Sequence, residues 1–121
     1  MPTAKLGAAA ALVAIVAITT SWSVQARDAR CRIFHQGSLA LDRICDFQPD
    51  GRNGSFILSG RGGRGSLLPG ISTVSVSVFE PGRAEVRGLT RDGINSRWGE
   101  ARRSGNDRAC WRGSDFSICV Y

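Results

Sequence analysis

Four cysteines constrain this chain more than any other feature. Cys31 and Cys45 lie 14 positions apart, and Cys110 and Cys119 lie 9 apart. An even number of cysteines in a short exported chain reads as a disulfide framework. Of the three possible pairings, Cys31–Cys45 with Cys110–Cys119 is preferred, because each pair brackets a local turn. In the loop-entropy model the first closure stabilises by about 3 kcal/mol and the second by slightly less. That is a large share of the ~5–10 kcal/mol net stability of a small domain. A zinc reading fails: there is no C-x-x-C pair, and the single histidine, His35, cannot complete a Cys/His set. No metal or cofactor is expected.

The disulfide reading presumes an oxidising compartment, and residues 1–26 read as the signal that takes the chain there. A short start with Lys5 precedes an uncharged apolar run over 6–18. A more polar stretch then ends in Val24-Gln25-Ala26, with small or β-branched residues where signal peptidase requires them. The run is too short to cross a ~30 Å hydrocarbon core as a helix. The rival reading keeps it as an uncleaved anchor extended over Thr19–Val24, an extension that Thr19, Thr20, Ser21 and Ser23 weaken. Arg27, where a lipoprotein would carry cysteine, excludes lipid attachment at that site. After cleavage no membrane span is expected.

Removing 26 residues from 121 leaves 95, enough for one domain, 27–121. Lys5 is the only lysine, so this domain carries fifteen arginines against ten acidic residues, a net +5. A basic surface favours anionic partners, although arginine without lysine is also what a GC-rich genome writes by default. An envelope protein or an anionic polymer is the expected partner; nucleic acid is not.

Glycine punctuates the chain, and after Ala26 no segment sustains an i, i+3, i+4, i+7 apolar pattern, so helix is scarce. Strands are expected at 31–34 and 43–47 around a turn near Gly37-Ser38, then at 55–58, 73–79, 84–87 and 94–101. A final hairpin joins 109–111 to 116–121. The segment 73–79 is the clearest, with Val74, Val76 and Val78 on one face and Thr73, Ser75 and Ser77 on the other. A plain two-residue Pro81-Gly82 loop would set Val78 against Glu85. The apolar pattern instead demands Val78 opposite Ala84 and Val76 opposite Val86, which needs an odd-length loop or a bulge, with Gly82 at positive φ. A two-residue loop at Ser114-Asp115 sets Cys110 directly opposite Cys119. The fold class is all-β: a small antiparallel barrel or sandwich of about seven or eight short strands, stapled by two disulfides.

Candidate chemistry is sparse. His35 has no free cysteine to activate and no G-x-S-x-G elbow, so it reads as a rim residue and no catalytic residue is assigned. Glu85 with Glu100 or Asp92 is the pairing available for carboxylate hydrolysis, with no spacing that singles it out. The segment Arg61-Gly62-Gly63-Arg64-Gly65 reads as an exposed loop whose arginines suit an anionic surface. Trp98 beside Arg97 has the composition of a binding hot spot, and Arg87 is placed to stack on it. The competing reading has Trp98 closing one end of a barrel. Arg61, Arg64, Arg87, Arg97 and Trp98 are therefore the candidate partner contacts.

The spacing from Cys31 through Gly37 to Cys45-Asp46-Phe47, then Gly54-Ser55-Phe56, with the ending Ala109-Cys110-Trp111 and Ile118-Cys119-Val120, resembles small exported proteins of alphaproteobacteria that end in a CW…IC pair. That resemblance implies export and brings no activity. Exported β-barrel lysozyme inhibitors are similar in size and disulfide content. Their Ser-Gly-x-x-Tyr loop is unmatched, since Ser59-Gly60 is followed by Arg61, Gly62 and Gly63, and a +5 domain suits a basic lysozyme poorly. The expectation is a non-enzymatic periplasmic or secreted module. The alternatives are an inhibitor of a cell-wall hydrolase and a small carboxylate-based hydrolase.

Overall fold

The computed structural model describes residues 11–17 and 26–121. Most of the expected leader, with Val24 and Gln25 of its cleavage motif, lies outside the described residues. Residues 11–17 are exposed and without regular structure. No helix among the described residues is long and apolar enough to cross a membrane.

Eight antiparallel strands form a closed barrel in chain order: β1 (Arg27–His35), β2 (Ser38–Pro49), β3 (Phe56–Ser59), β4 (Ile71–Glu80), β5 (Arg83–Thr90), β6 (Asn95–Arg103), β7 (Cys110–Arg112) and β8 (Phe116–Val120). Every strand pairs with its sequence neighbours, and β8 returns to β1. This is the up-and-down solution to the problem of sheet edges. The turns at 36–37, 91–94 and 113–115 and the 60–70 segment share one end, here the upper end. The turn at 81–82, the loops 50–55 and 104–109, and both ends of the barrel chain share the lower end.

Alternation decides which residues enter the lumen. Val74 and Val76 are fully buried against Val86 and Ala84 from β5. The β4–β5 register is the one the apolar pattern demands, with Val76 opposite Val86 and Val78 opposite Ala84. It is reached by a bulge at Phe79 ahead of a two-residue turn in which Gly82 has φ 75°. Three more bulges escaped the sequence reading, one of them an extra residue at Ser72 near the start of β4. An extra residue at Ala40 flips β2, so Leu39 stands outside opposite Phe34 while Leu41 is buried opposite Ile33. An extra residue at Trp98 lets Arg97 stay outside while the indole turns inward. β1 and β2 also run longer than expected, because the bulge hides the alternation of 38–41.

Both disulfides pair as preferred, Cys31 with Cys45 and Cys110 with Cys119. Cys31 faces Arg43 and Cys45 faces Ala29, so the first bridge crosses the β1–β2 ladder diagonally within the lumen, both residues fully buried. Cys110 and Cys119 are direct register partners. Cys119 also faces the outward Arg32, which puts this bridge on the outer wall.

The two ends close differently. At the upper end the 60–70 segment makes a short 3-10 turn at Arg61–Gly63 and then tucks Leu67 and Leu68 into the core. Trp98 packs beside them, stacked on His35 with ring centroids 5.0 Å apart and edge-on to Phe116 at 5.8 Å. Gly88 makes room for the indole, since a Cβ there would lie 2.7 Å from its Nε1. At the lower end Trp111 is buried while the turns around it stand apart, and the lumen opens into a groove.

Candidate functional site

The sequence-predicted contacts separate into three places. Arg87 and Arg97 share the outer wall, both bonded to Glu85 Oε1, at 2.9 and 3.0 Å. Trp98 lies on the other side of the sheet, half-buried against the core, so Arg87 does not stack on it. The indole closes the upper end, as the competing reading expects, with His35 and Phe116 as neighbours. Arg61 and Arg64 are exposed on the 60–70 segment, and Arg61 pairs with Asp28 at 3.3 Å. With Arg43 and Ile44 they line a shallow depression of about 340 Å³.

Glu85 and Glu100 are direct partners across β5 and β6, so the structure does bring those two carboxylates together. They sit on the outer wall, each clamped by arginine. Arg83 donates to Glu100 at 2.6 Å and also to Glu80. The Arg83 guanidinium holds the Glu100 carboxyl below its usual range, the direction opposite to what a general acid needs. Asp92 lies apart, exposed in the 91–94 turn.

At the lower mouth is a groove of about 770 Å³. Its walls are the 50–55 loop, the β4–β5 turn and the 104–109 loop. Sheet register supplies its floor: Ala101 points inward, so two residues later Arg103 does too, and Arg103 faces Trp111 across β6 and β7. The Arg103 guanidinium lies over the indole, 4.9 Å from the ring centroid. Val78 extends the apolar floor and the exposed Phe79 forms one wall. Arg108 stands at the rim. Neither Arg103 nor Arg108 meets a carboxylate among the described residues, and Glu80, the acid on this rim, is held by Arg83. The groove therefore presents aromatic surface under two uncompensated positive charges.

Local bonding fixes these walls. Asn53 donates through Nδ2 to the Val78 carbonyl at 2.7 Å and accepts from the Ser55 amide at 3.1 Å. The Arg103 amide donates to the Gly82 carbonyl at 2.9 Å. In the 104–109 loop the Tyr121 hydroxyl donates to Asp107 at 2.6 Å. That bond, with one from the Ala109 amide, holds the Asp107 carboxyl below its ordinary range and lifts the Tyr121 hydroxyl above its own.

Sequence reasoning missed Phe79, Arg103, Arg108 and Trp111. The available signal was the alternation of β4, which puts Phe79 on the outward row with Thr73, Ser75 and Ser77. The meeting of Arg103 with Trp111 needs the β6–β7 register, which the intervening loop 104–109 conceals. The fold and groove define a small up-and-down β-barrel, stapled by disulfides, with one open mouth. No protein-family model, curated protein or solved structure matches the chain.

Proposed function

We propose that the protein is a non-enzymatic binding module of an oxidising compartment, periplasmic or extracellular, and that its mouth groove holds a small anion with an apolar or aromatic body. One observation carries the reading: Arg103 lies over Trp111 and Arg108 lines the same groove of ligand size, both without carboxylate partners among the described residues. Pockets of roughly 300–1,000 Å³ at barrel mouths are usual ligand sites. A guanidinium oriented on an indole keeps its donor edge free for a carboxylate, sulfonate or phosphate. The two disulfides support the compartment.

Anilinonaphthalene sulfonate, with uncharged phenylnaphthylamine as its counterpart, tests this by titration into the disulfide-bonded protein. One-to-one binding of the sulfonate is expected. Combined Arg103→Gln and Arg108→Gln substitution should weaken it by about 1–3 kcal/mol, the worth of one or two charge-assisted contacts. Phenylnaphthylamine should not respond to those substitutions. Equal sulfonate binding by the variant and the parent would remove the proposal.

A further inference from the structure

The twelve residues of β2 have β3 beside only four of them, 46–49. The remaining eight, 38–45, pair with β1 alone. Along an antiparallel strand every second residue turns its N–H and C=O away from a given neighbour. About four residues of this stretch therefore aim donors and acceptors at whatever lies beyond. Beyond lies the 60–70 segment, and among the described residues no backbone bond joins it to 38–45. A side chain makes the connection instead: Arg43 donates to the carbonyls of Ser66 and Leu67 at 3.2 and 3.1 Å. Between strand and segment runs a cleft of about 540 Å³, lined by 40–43, 66–70 and Arg91.

The charge left unpaired along this edge is positive. Arg43 and Arg91 line the cleft, and Arg64 stands beside it at Ile44. None of the three pairs with a carboxylate among the described residues. The one acid in the cleft, Asp42, is occupied by Arg30 at 2.9 Å. An open strand edge is a template for another strand. Here a second copy of the same edge is disfavoured, because antiparallel pairing would bring arginines against arginines.

We propose that the 38–45 edge of β2 is a strand-addition site whose occupant is an extended peptide bearing acidic side chains. The peptide backbone supplies the alternating donors and acceptors that the edge lacks, and its carboxylates meet Arg43, Arg64 and Arg91. A charged glycan or lipid surface would satisfy the arginines and leave the backbone row unpaired. This edge is at the upper end of the barrel and the mouth groove at the lower, so the two sites stand or fall separately.

The probes are an eight-residue peptide alternating glutamate and valine, its lysine–valine counterpart, and two N-methylated forms of the acidic peptide. One form is methylated on odd residues and the other on even. The acidic peptide binds and the lysine peptide does not. The two methylated forms differ by roughly tenfold or more, because only one row of peptide amides faces β2. Backbone amide shifts fall in 38–45 and leave Trp111 unmoved. Arg64→Gln with Arg91→Gln, neither in the core, weakens binding and flattens its salt dependence. Equal binding of both methylated forms overturns strand addition and leaves charge adhesion alone. Binding of the lysine peptide, or a protein dimer formed through β2, also overturns it.

Discussion

Replacing Leu67 with alanine tests whether the 60–70 segment belongs to the core or merely lies on it. Leu67 is fully buried in the core. Removing a buried leucine to alanine costs about 2–5 kcal/mol, the spread reflecting how far the site collapses around the void. Leu68 is also buried beside it, and Arg43 holds the segment from outside through the Ser66 and Leu67 carbonyls. Those restraints limit collapse, so a loss of about 3 kcal/mol is expected. At about 4–8 °C per kcal/mol for a domain of this size, Tm falls by roughly 12–24 °C. Thermal and urea unfolding followed by circular dichroism measure both, with Leu89→Ala as the control. Leu89 is 36% exposed on β5, and its variant should lose less than about 1 kcal/mol. A Leu67→Ala loss as small as the Leu89 control would refute the reasoning and make the segment a surface flap.

Replacing Cys31 and Cys45 together with alanine should cost about 3 kcal/mol, read as a lower urea midpoint in a folded barrel. Gly88→Ala should push Trp98 off its seat, visible as a loss of near-ultraviolet dichroism, while Gly105→Ala, with open space around it, leaves the signal intact. Glu85→Gln should shift stability by less than about 1 kcal/mol, because its ion pairs with Arg87 and Arg97 are partly exposed. Tyr121 is the only tyrosine, so its titration is directly visible in the ultraviolet. Its raised value means the Asp107 bond contributes fully below the ordinary tyrosine pKa of about 10 and is lost as pH rises through the higher folded value. Asp107 is lowered, so its contribution is present above about pH 4 and lost as pH falls through the lower folded value. Tyr121→Phe should abolish the first dependence and reduce the second, which the Ala109 amide also sustains; a pH profile unchanged in that variant would show that the bond does not form in solution.

Legibility followed the range of the interaction. The β4–β5 register was readable because Val74, Val76, Val78, Ala84 and Val86 allow one apolar alignment across a short turn. The disulfide pairing was readable for the same reason, each pair closing a local hairpin. The bulges at Ala40 and Trp98 were not, since a single inserted residue erases the period-two signal on which strand assignment rests. Leu67 and Leu68 follow a glycine-rich stretch and lack any alternation, so nothing local marks them as core. The Arg103–Trp111 floor depends on which strands meet around a closed barrel, and no pairwise spacing encodes that. Trp98 shows the limit well: composition fits both an exposed anchor and a lid, and only the inward turn of its bulge distinguishes them.

The β1–β8 pairing sets the order in which this barrel can close. It joins Cys31 to Val120 and Ile33 to Ile118, contacts between opposite ends of the domain with a high closure entropy. Each disulfide lies within a hairpin that contributes one side of that junction, β1–β2 and β7–β8. Once oxidised, these hairpins are covalent ribbons, each carrying one edge of the β1–β8 junction. Before oxidation both edges are bare in a partly folded chain, the condition in which strands of separate molecules pair with one another. Thiol oxidation therefore acts as a timer on assembly: the sooner each hairpin is locked, the shorter the interval in which β1 and β8 are open to the wrong partner.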